Sequence, residues 1–347
     1  MLLSLALMLG LADAAEVTTK DTGHVQNPVW SPDGQWVAFE INNMSNSVEL
    51  WLAKVQGANP GSPTELRIPG ASTTFGTGGY LAASPTWASK PSLMLIFEGS
   101  NPGGTMRLYY ATPGAGAPNE LIQASQLAGN LSAPSMSTSG ERFAFVSDSS
   151  GNGDIYVWQI QSGDMEVTFT TQQSEHFPAW NDAGDTLALS RKNNGTEDLF
   201  TWTTAVPGMK PLKGGNGDQT RPVWVDDQVA YFTSERGEGL WDIAITGSGG
   251  KRTVVARNVR LPVRSAPAIS PDGQWVAYGT MTAELDDQIL LTRLDGSKTV
   301  EIKTGHKACG EPSLIETDGR LLLAYTGLPD EGSDWRRLHV IDITGEI

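Results

Sequence analysis

Residues 28–39 read PVWSPDGQWVAF, and residues 267–278 repeat nearly the same sequence as PAISPDGQWVAY. Between these two copies the same frame returns in altered form: a proline, a small residue, a large apolar residue, a turn and an alternating apolar stretch. Seven copies begin at Pro28, Pro85, Pro134, Pro178, Pro222, Pro267 and Pro312, with spacings of 57, 49, 44, 44, 45 and 45 residues. A period near 45 residues made of strands and turns is typical of a β-propeller, in which each repeat forms one blade.

Each repeat divides into four strands, which we label a to d from the proline onward. Outer strands d are predicted in six repeats, at 64–68, 119–122, 166–169, 210–212, 252–255 and 299–302. Too few residues follow strand c of the last repeat, 337–343, to make a seventh. Residues 16–18 lie 12 residues before Pro28, just as the identical residues 166–168 lie 12 before Pro178. The sequence therefore predicts an all-β, seven-bladed propeller of four-stranded antiparallel blades, closed by the N-terminal strand pairing in the C-terminal blade.

Composition narrows the class of partner. The formal net charge is −15 and the pI is near 4.7, so phosphate groups would be repelled and a nucleic-acid partner is not expected. The one cysteine, Cys309, can form no internal disulfide and no zinc-thiolate cluster.

The N-terminus has the features of an export signal. Residues 2–11 are apolar and are followed by Ala12, Asp13 and Ala14, a small-x-small ending that predicts cleavage before Ala15. Against this, the preceding region lacks the lysine or arginine of a usual signal peptide. The apolar run is too short to span a bilayer. We therefore expect a signal peptide at 1–14, a single propeller domain at 15–347, and a monomeric periplasmic or secreted protein without a membrane span.

Four tryptophans occupy one position of the repeat. Trp30, Trp87, Trp180 and Trp224 each lie two residues after their proline, where the other repeats have Met136, Ile269 and Leu314. Because neighbouring blades bury their faces against each other, a large side chain on one face and a small one on the next suit close packing. We expect these indoles in the core rather than stacked on a ligand.

The turn and hairpin sequences carry a family resemblance. The Ser-Pro-Asp-Gly turns at 31–34 and 270–273, and the hairpins 145–157 and 232–243, resemble those of TolB-like propeller repeats, over nearly all of residues 16–347. In that family TolB is a periplasmic protein of the Tol-Pal envelope system, and the mouth of its six-bladed propeller receives the peptidoglycan-associated lipoprotein, Pal. The chain has seven repeats and no room for TolB's α/β domain between Ala15 and Pro28, so a Pal-like partner follows by analogy only.

Two enzyme classes share this architecture. Related repeats precede the hydrolase domain of prolyl oligopeptidase-like enzymes, but this chain has neither that domain nor its G-x-S-x-G elbow. Oligogalacturonate lyases hold a metal with histidines of a seven-bladed propeller. The histidines here, His24, His176, His306 and His339, have irregular positions in their repeats, so a shared metal site is not expected. The oxygen-rich runs 148–154 and 330–334 resemble calcium loops only loosely and are interpreted as polar hairpins. No metal or cofactor is predicted.

The remaining candidates are the residues beside the repeat prolines, which in a propeller surround the entrance of the central channel. We predict a binding mouth formed by Asn27, Ser84, His176, Phe177, Arg221 and Glu311. They carry no acid/base pair at a recognisable spacing, so we assign no catalytic residue. The first functional hypothesis is an exported scaffold that binds an envelope protein or peptide. The alternative is a polysaccharide-active lyase or hydrolase that uses residues of the mouth.

Overall fold

The computed structural model describes residues 14–17, 23–44, 47–70, 80–122, 126–167, 171–193, 195–213, 215–237, 239–247, 249–281, 287–329 and 334–347. All regular elements in these ranges are β-strands, as predicted. The predicted signal peptide falls outside them except for Ala14. Within these ranges no helix is long and apolar enough to cross a membrane.

The strands follow the repeats. Before the first repeat lies β1 (Ala15–Glu16). The first two repeats contain β2 (His24–Trp30), β3 (Trp36–Asn42), β4 (Val48–Gln56), β5 (Asn59–Pro60), β6 (Thr64–Leu66), β7 (Leu81–Ala88), β8 (Met94–Ser100), β9 (Arg107–Ala111) and β10 (Asn119–Glu120). The third and fourth contain β11 (Leu131–Met136), β12 (Arg142–Ser147), β13 (Asp154–Gln159), β14 (Met165–Val167), β15 (Ser174–Trp180), β16 (Thr186–Asn193), β17 (Thr196–Thr203) and β18 (Val206–Pro211). The last three contain β19 (Gln219–Val225), β20 (Gln228–Thr233), β21 (Trp241–Gly247), β22 (Arg252–Val259), β23 (Ala268–Ile269), β24 (Trp275–Gly279), β25 (Ile289–Arg293), β26 (Thr299–Ile302), β27 (Lys307–Thr317), β28 (Arg320–Leu328) and β29 (Arg337–Asp342).

Repeats three to six each form a separate four-stranded antiparallel sheet whose strand order follows the chain, for example β11-β12-β13-β14. The first two repeats form β2-β3-β4-β6 and β7-β8-β9-β10, which a single parallel bridge between Val48 and Leu81 joins into one nine-stranded sheet that also includes β5. The four-stranded antiparallel unit is therefore present as predicted. In such an antiparallel unit, the b–c connection and the C-terminal end of strand d lie at the same end of the strands.

The N-terminal strand belongs to the sheet of the last repeat, with the order β27-β28-β29-β1. Ala15 is paired with Val340, and the Val17 amide donates to the Leu338 carbonyl over 2.9 Å. Val17 is fully buried in an apolar cluster that contains Val25 of the first repeat together with Leu338 and Val340 of the last. The chain start thus makes contacts with both terminal repeats.

The Ser-Pro-Asp-Gly turns have the same hydrogen bonds in both copies. The Ser31 hydroxyl donates to Asp33 Oδ1 over 2.5 Å and accepts from the Trp36 amide, while the Gln35 amide donates to the same Asp33 oxygen. Ser270 and Asp272 repeat these contacts in the sixth repeat. Gly34 has a φ of +66°, which a residue with a Cβ seldom adopts. The two copies of this short motif therefore form the same turn between strands a and b.

The core consists of apolar clusters that lie between neighbouring sheets. The tryptophans at the shared position pack into these clusters, and each indole donates to a main-chain carbonyl of the preceding repeat. The pairs are Trp30 to Ser313, Trp87 to Val29, Trp180 to Ser135 and Trp224 to Ala179, at 3.0 to 3.2 Å. The first of these joins the first repeat to the last. The core role expected for these tryptophans agrees with this arrangement.

The contribution of the N-terminal strand can be measured with two adjacent substitutions. Val17→Ala should lower the free energy of unfolding by about 1 to 2 kcal/mol, because two buried methyl groups are lost where the terminal repeats meet. Glu16→Ala, at the neighbouring exposed position, should change it by less than about 0.5 kcal/mol. Urea unfolding of both variants gives the comparison. Equal stability of the two would show that the buried face of β1 contributes nothing.

Candidate functional site

The residue before the repeat proline has an unusual backbone conformation in six repeats. Its φ lies between +48° and +55° at Asn27, Ser84, Ala133, Phe177, Arg221 and Glu311. At each of these places the pairing of strands a and b shifts register, which marks a β-bulge. Proline lacks an N–H group and disfavours the right-handed helical region for the residue before it. Bulges of this kind turn a side chain out of the regular ladder, and five of the six predicted mouth residues occupy them.

The seven repeat prolines line a single cavity of about 520 Å³. Its wall also contains Asn27, Ser84, His176, Phe177 and Arg221 of the predicted mouth. Glu311 is not in the wall. It is 4% exposed and lies behind the wall, where its carboxylate accepts the Val263 amide over 2.7 Å. The structure thus brings the predicted residues to one place, with Glu311 in a supporting position.

Two buried carboxylates connect each of the first two repeats to the next. Glu40 of β3 is fully buried and accepts the amide of Ser84, the bulged residue of the second repeat, over 2.9 Å. Glu98 occupies the corresponding position of β8 and accepts the amide of Ala133, the bulged residue of the third repeat, also over 2.9 Å. These N–H groups would otherwise be unpaired at the inner edge of a sheet, which is costly.

Glu311 has the same role between the last repeat and the first, because its carboxylate also accepts the backbone amide of Asn27. The side chains of Gln26 and Asn27 donate to Glu40 over 2.8 Å each. Burial raises the pKa values of both Glu40 and Glu311, while nearby arginines and these donors act in the opposite direction. The carboxylates therefore stabilise the wall of the cavity, and their oxygens already accept hydrogen bonds from the protein.

Arg264 forms ion pairs with repeats that are distant from it in sequence. It belongs to the linker that precedes the sixth repeat, but its guanidinium lies 3.3 Å from Glu40 and 3.2 Å from Glu98. It also donates to the Ser84 hydroxyl at 3.4 Å. Its side chain remains 30% exposed in the wall of the cavity. The carboxylates of Glu40 and Glu98 thus share the guanidinium of Arg264, beside the bulge of the second repeat.

Arg221 holds the same linker from the other side. Its guanidinium donates to the carbonyls of Pro262 and Val263, the latter over 3.0 Å, and lies 5.4 Å from the centre of the Phe177 ring. Burial lowers the pKa of Arg221, and burial also lowers the pKa of His176 below its usual 6.5. At neutral pH the cavity therefore presents a neutral imidazole, an aromatic ring and two guanidinium groups, which are groups that can form hydrogen bonds and stacking contacts with a ligand.

Sequence reasoning did not identify Glu40, Glu98 or Arg264. Glu40 and Glu98 each follow a run of consecutive apolar residues, in WVAFEIN and MLIFEGS, where nothing in the local pattern says what would accept a buried carboxylate. Arg264 lies in a linker three residues before Pro267. Its position in the stretch KRTVVARNVRLPVR at 251–264, which has five cations and no acidic residue, is the one sequence signal that marks it.

The four histidines do not converge on one place. His176 lies in the cavity wall, whereas His306 and His339 stack at 3.8 Å between ring centres inside the last repeat. His24 packs edge-on against Trp335 and accepts the Arg336 amide. Across the described ranges, no three histidine, cysteine or acidic side chains are placed to hold a metal ion.

The oxygen-rich run 148–154 is engaged with neighbouring loops. Asp148 accepts from the backbone and side-chain amides of Asn130 at 2.7 Å each, and Asp154 accepts the Thr171 amide over 3.0 Å. Both aspartates therefore fasten the linkers before and after the third repeat. The similar run at 330–334 lies outside the described residues except for Asp334.

Repeated four-stranded antiparallel sheets around a proline-lined cavity define a β-propeller protein. A family model described as the TolB beta propeller domain matches residues 115–347, more than half of the chain. The chain therefore belongs to the TolB β-propeller domain family.

Solved structures with the same fold come from several functional classes. TolB from Acinetobacter baumannii matches with a TM-score of 0.54 and 16% identity, over 82% of this chain and 64% of TolB. A puromycin-hydrolyzing peptidase from Mycobacterium tuberculosis matches with a TM-score of 0.67 and 15% identity, over 96% of this chain and 54% of the peptidase. Oligogalacturonate lyase from Vibrio parahaemolyticus matches with a TM-score of 0.63 and 10% identity, over 94% and 93%. The chain spans less than two thirds of the first two proteins, and at these identities the likeness shows the fold alone.

The role of the buried carboxylates can be tested at Glu40. Glu40→Leu should lower the free energy of unfolding by about 3 to 5 kcal/mol, because the Ser84 amide and one side of Arg264 lose their acceptor in a buried place. Glu316→Leu, at an exposed strand position, should cost less than about 1 kcal/mol. Urea unfolding measures both. A Glu40→Leu variant as stable as the Glu316 control would contradict the proposed function of the carboxylate in the fold.

His339, which is buried against His306, predicts a pH dependence of stability. Burial, with a further contribution from the charge of His306, lowers the pKa of His339 from its usual 6.5 to about 3. The unfolded chain takes up a proton below pH 6.5 that the folded chain refuses until about pH 3, so stability falls as the pH decreases through this window.

Between about pH 7.5 and pH 5 the wild-type protein should therefore lose about 2 kcal/mol more than His339→Phe, which keeps an aromatic ring without the titrating group. Urea unfolding at a series of pH values gives both curves. Parallel curves for the two proteins would show that His339 titrates normally in the folded chain.

Proposed function

We propose that residues 15–347 form a closed ring of seven four-stranded blades, and that this propeller is an exported scaffold that binds a protein or peptide segment through one rim and its central channel. The observation that carries the proposal is the single cavity lined by all seven repeat prolines and by the mouth residues Ser84, His176, Phe177 and Arg221. Its volume of about 520 Å³ suits a few side chains of a peptide.

Three contacts support the closed ring. The N-terminal strand β1 pairs with β29, Trp30 donates to Ser313, and Val17 packs between the first and last repeats. A ring that joins its own ends leaves no exposed outer sheet face for aggregation. It also brings the first and last prolines to the same cavity.

The chemistry of the wall favours recognition by side chains. Prolines remove N–H donors from the innermost strands, and the carboxylates of Glu40, Glu98 and Glu311 occupy the amides beside three of them. An incoming strand would therefore find few donors for a β-ladder there. A bound segment would instead be held by the Phe177 ring and by the polar side chains around it.

The N-terminal sequence and the family support the proposed location. Residues 1–14 have the pattern of a cleaved signal peptide. TolB, a member of the family that the chain resembles, is a periplasmic protein. We propose a periplasmic location and an envelope protein or peptide as partner, with a Pal-like lipoprotein suggested by analogy. The partner binds a monomeric propeller without a cofactor.

The test is capture from envelope extract with residues 15–347 as bait, followed by identification of the captured protein and a binding measurement with that protein in purified form. Phe177→Leu should weaken this binding by about threefold or more, because the aromatic face of the cavity is lost. Phe200→Leu is the matched control, since Phe200 has an arginine at a similar distance, 5.3 Å from its ring, but lies in the body of β17.

Thermal melting of both variants checks that they are folded. Equal binding by the two variants would place the partner elsewhere on the surface. Turnover of a polysaccharide by the purified chain, without a captured protein, would favour the alternative enzymatic function.

A further inference from the structure

A buried glutamate departs from the pattern of the innermost strands. Glu175 of β15 is 0% exposed and lies three residues before the repeat proline Pro178. A carboxyl group that is buried in this way loses its hydration, so it needs compensation from the groups around it. At the corresponding position four other repeats have a buried apolar residue, namely Val25, Ala82, Leu131 and Cys309.

The group beside Glu175 is a second buried carboxyl group. Asp154, the first residue of β13 in the third repeat, is also 0% exposed, and its carboxyl group is within hydrogen-bonding range of that of Glu175. Thr171 of the linker contacts both. Its amide donates to Asp154 Oδ1 over 3.0 Å, and its hydroxyl donates to Glu175 Oε1 over 2.8 Å. Carboxyl groups from two neighbouring repeats therefore lie against each other away from water.

In the described residues, one cationic side chain contacts this pair. The guanidinium of Arg191, the register partner of Glu175 on β16, lies 3.6 Å from Glu175 Oε1. Asp198 of β17 is the register partner of Arg191 on its other side. Asp148, in the b–c loop of the third repeat, bonds to Asn130 instead. The pair thus has two carboxyl groups and one guanidinium group.

The equivalent aspartate of the fifth repeat has a different environment. Asp242 is paired with the last residue of strand b, as Asp154 is, and likewise accepts a backbone amide from further along the chain. It is 2% exposed and binds both Arg236 and Arg257. A buried aspartate at this position therefore meets two cations in the fifth repeat but a carboxyl group in the third.

One oxygen of the pair lacks a hydrogen-bond partner within the described ranges. It is the buried Oε2 of Glu175. Both oxygens of Asp154 accept hydrogen bonds, from the Thr171 amide and from the Ser150 hydroxyl. Two ionised carboxylates in contact would repel each other strongly in a buried place. A proton on Glu175 Oε2 would remove this repulsion and make that oxygen a donor to Asp154.

We propose that Glu175 and Asp154 share one proton, and that its release to solvent as the pH rises is a switch that loosens the start of β15. The Glu175 amide donates to the Gly153 carbonyl over 2.6 Å, so repulsion between the two carboxylates acts directly on this strand. The mouth residues His176 and Phe177 follow immediately. The inference goes beyond the proposed function, because the switch requires no ligand.

The direction of the pH effect follows from the difference between the folded and unfolded chains. Burial, together with the charge and the contact of Asp154, raises the pKa of Glu175 from its usual 4.5 to about 7, against opposing contributions from Thr171 and Arg191. Between these two values the folded chain keeps a proton that the unfolded chain has lost. Stability therefore falls as the pH rises through this window. The effect of His339 has the opposite sign and is common to the proteins compared below.

Glu175→Gln isolates the switch, because a glutamine amide can donate to Asp154 at every pH. From about pH 5 to pH 8 the unfolding equilibrium constant of the wild type should rise by about tenfold or more relative to that of Glu175→Gln. The variant should then be the more stable protein at the upper end of this range. Urea unfolding at a series of pH values measures the ratio. Glu120→Gln is the control, since Glu120 contacts Arg107 rather than a second carboxyl group.

Two further measurements report on the proton and on the strand. Infrared difference spectra across neutral pH should show loss of a protonated carboxyl band in the wild type and not in Glu175→Gln. Hydrogen exchange at the Thr171 and Glu175 amides should be faster in the wild type than in the variant on the alkaline side. Asp154→Asn should also remove the pH step, and it provides the test if Glu175→Gln does not fold.

A pH step that both substitutions remove, and that Glu120→Gln retains, supports the shared proton. Parallel pH profiles of the wild type and Glu175→Gln would overturn it, and so would absence of the infrared band on the acidic side. Stabilisation of the wild type by Ca²⁺ on the alkaline side, lost in Glu175→Gln, would assign the place to a metal ion and would also overturn it. Failure of the envelope capture would contradict the proposed function alone.

Discussion

The fold depends on how the innermost strand of each repeat satisfies the backbone N–H groups that face the channel. An edge strand that faces a channel presents N–H groups without partners, and such groups are costly when water is limited. Proline removes one donor, and a bulge with positive φ turns the preceding residue aside. Glu40, Glu98 and Glu311 then accept the exposed amides from the adjacent repeat. The same groups that close the ladder therefore attach one sheet to the next and shape the cavity.

This solution has consequences for electrostatics. Three buried carboxylates near one cavity would repel each other, and burial already raises the pKa values of two of them. Arg264 lies between Glu40 and Glu98, and Arg221 lies close enough to favour the charged form of Glu311. The linker before the sixth repeat carries Arg264 and is itself held by Arg221. Structural ion pairs and the surface available to a ligand are thus parts of one network.

The same fold supports scaffolds and enzymes, so architecture leaves function open. In this chain Glu40, Glu98 and Glu311 accept backbone amides around the cavity, while Phe177 and His176 line the cavity itself. The scaffold function proposed above rests on that distribution, because recognition of a chain segment requires placed polar groups and apolar contacts.

Sequence by itself determined the all-β class, the four-stranded repeat, the position of the turns and the pairing of the N-terminal segment with strand c of the last repeat. These features follow from local patterns, since strand alternation, turn residues and repeat period are readable along the chain. It also indicated that residues beside the repeat prolines lie around one cavity, because those prolines are visible in the sequence. Only the tertiary structure decided that Glu311 supports the wall, and that Arg264 meets Glu98 across a separation of 166 residues. Such pairings depend on how the sheets are arranged around the channel, and no local pattern encodes which distant charge will be opposite which.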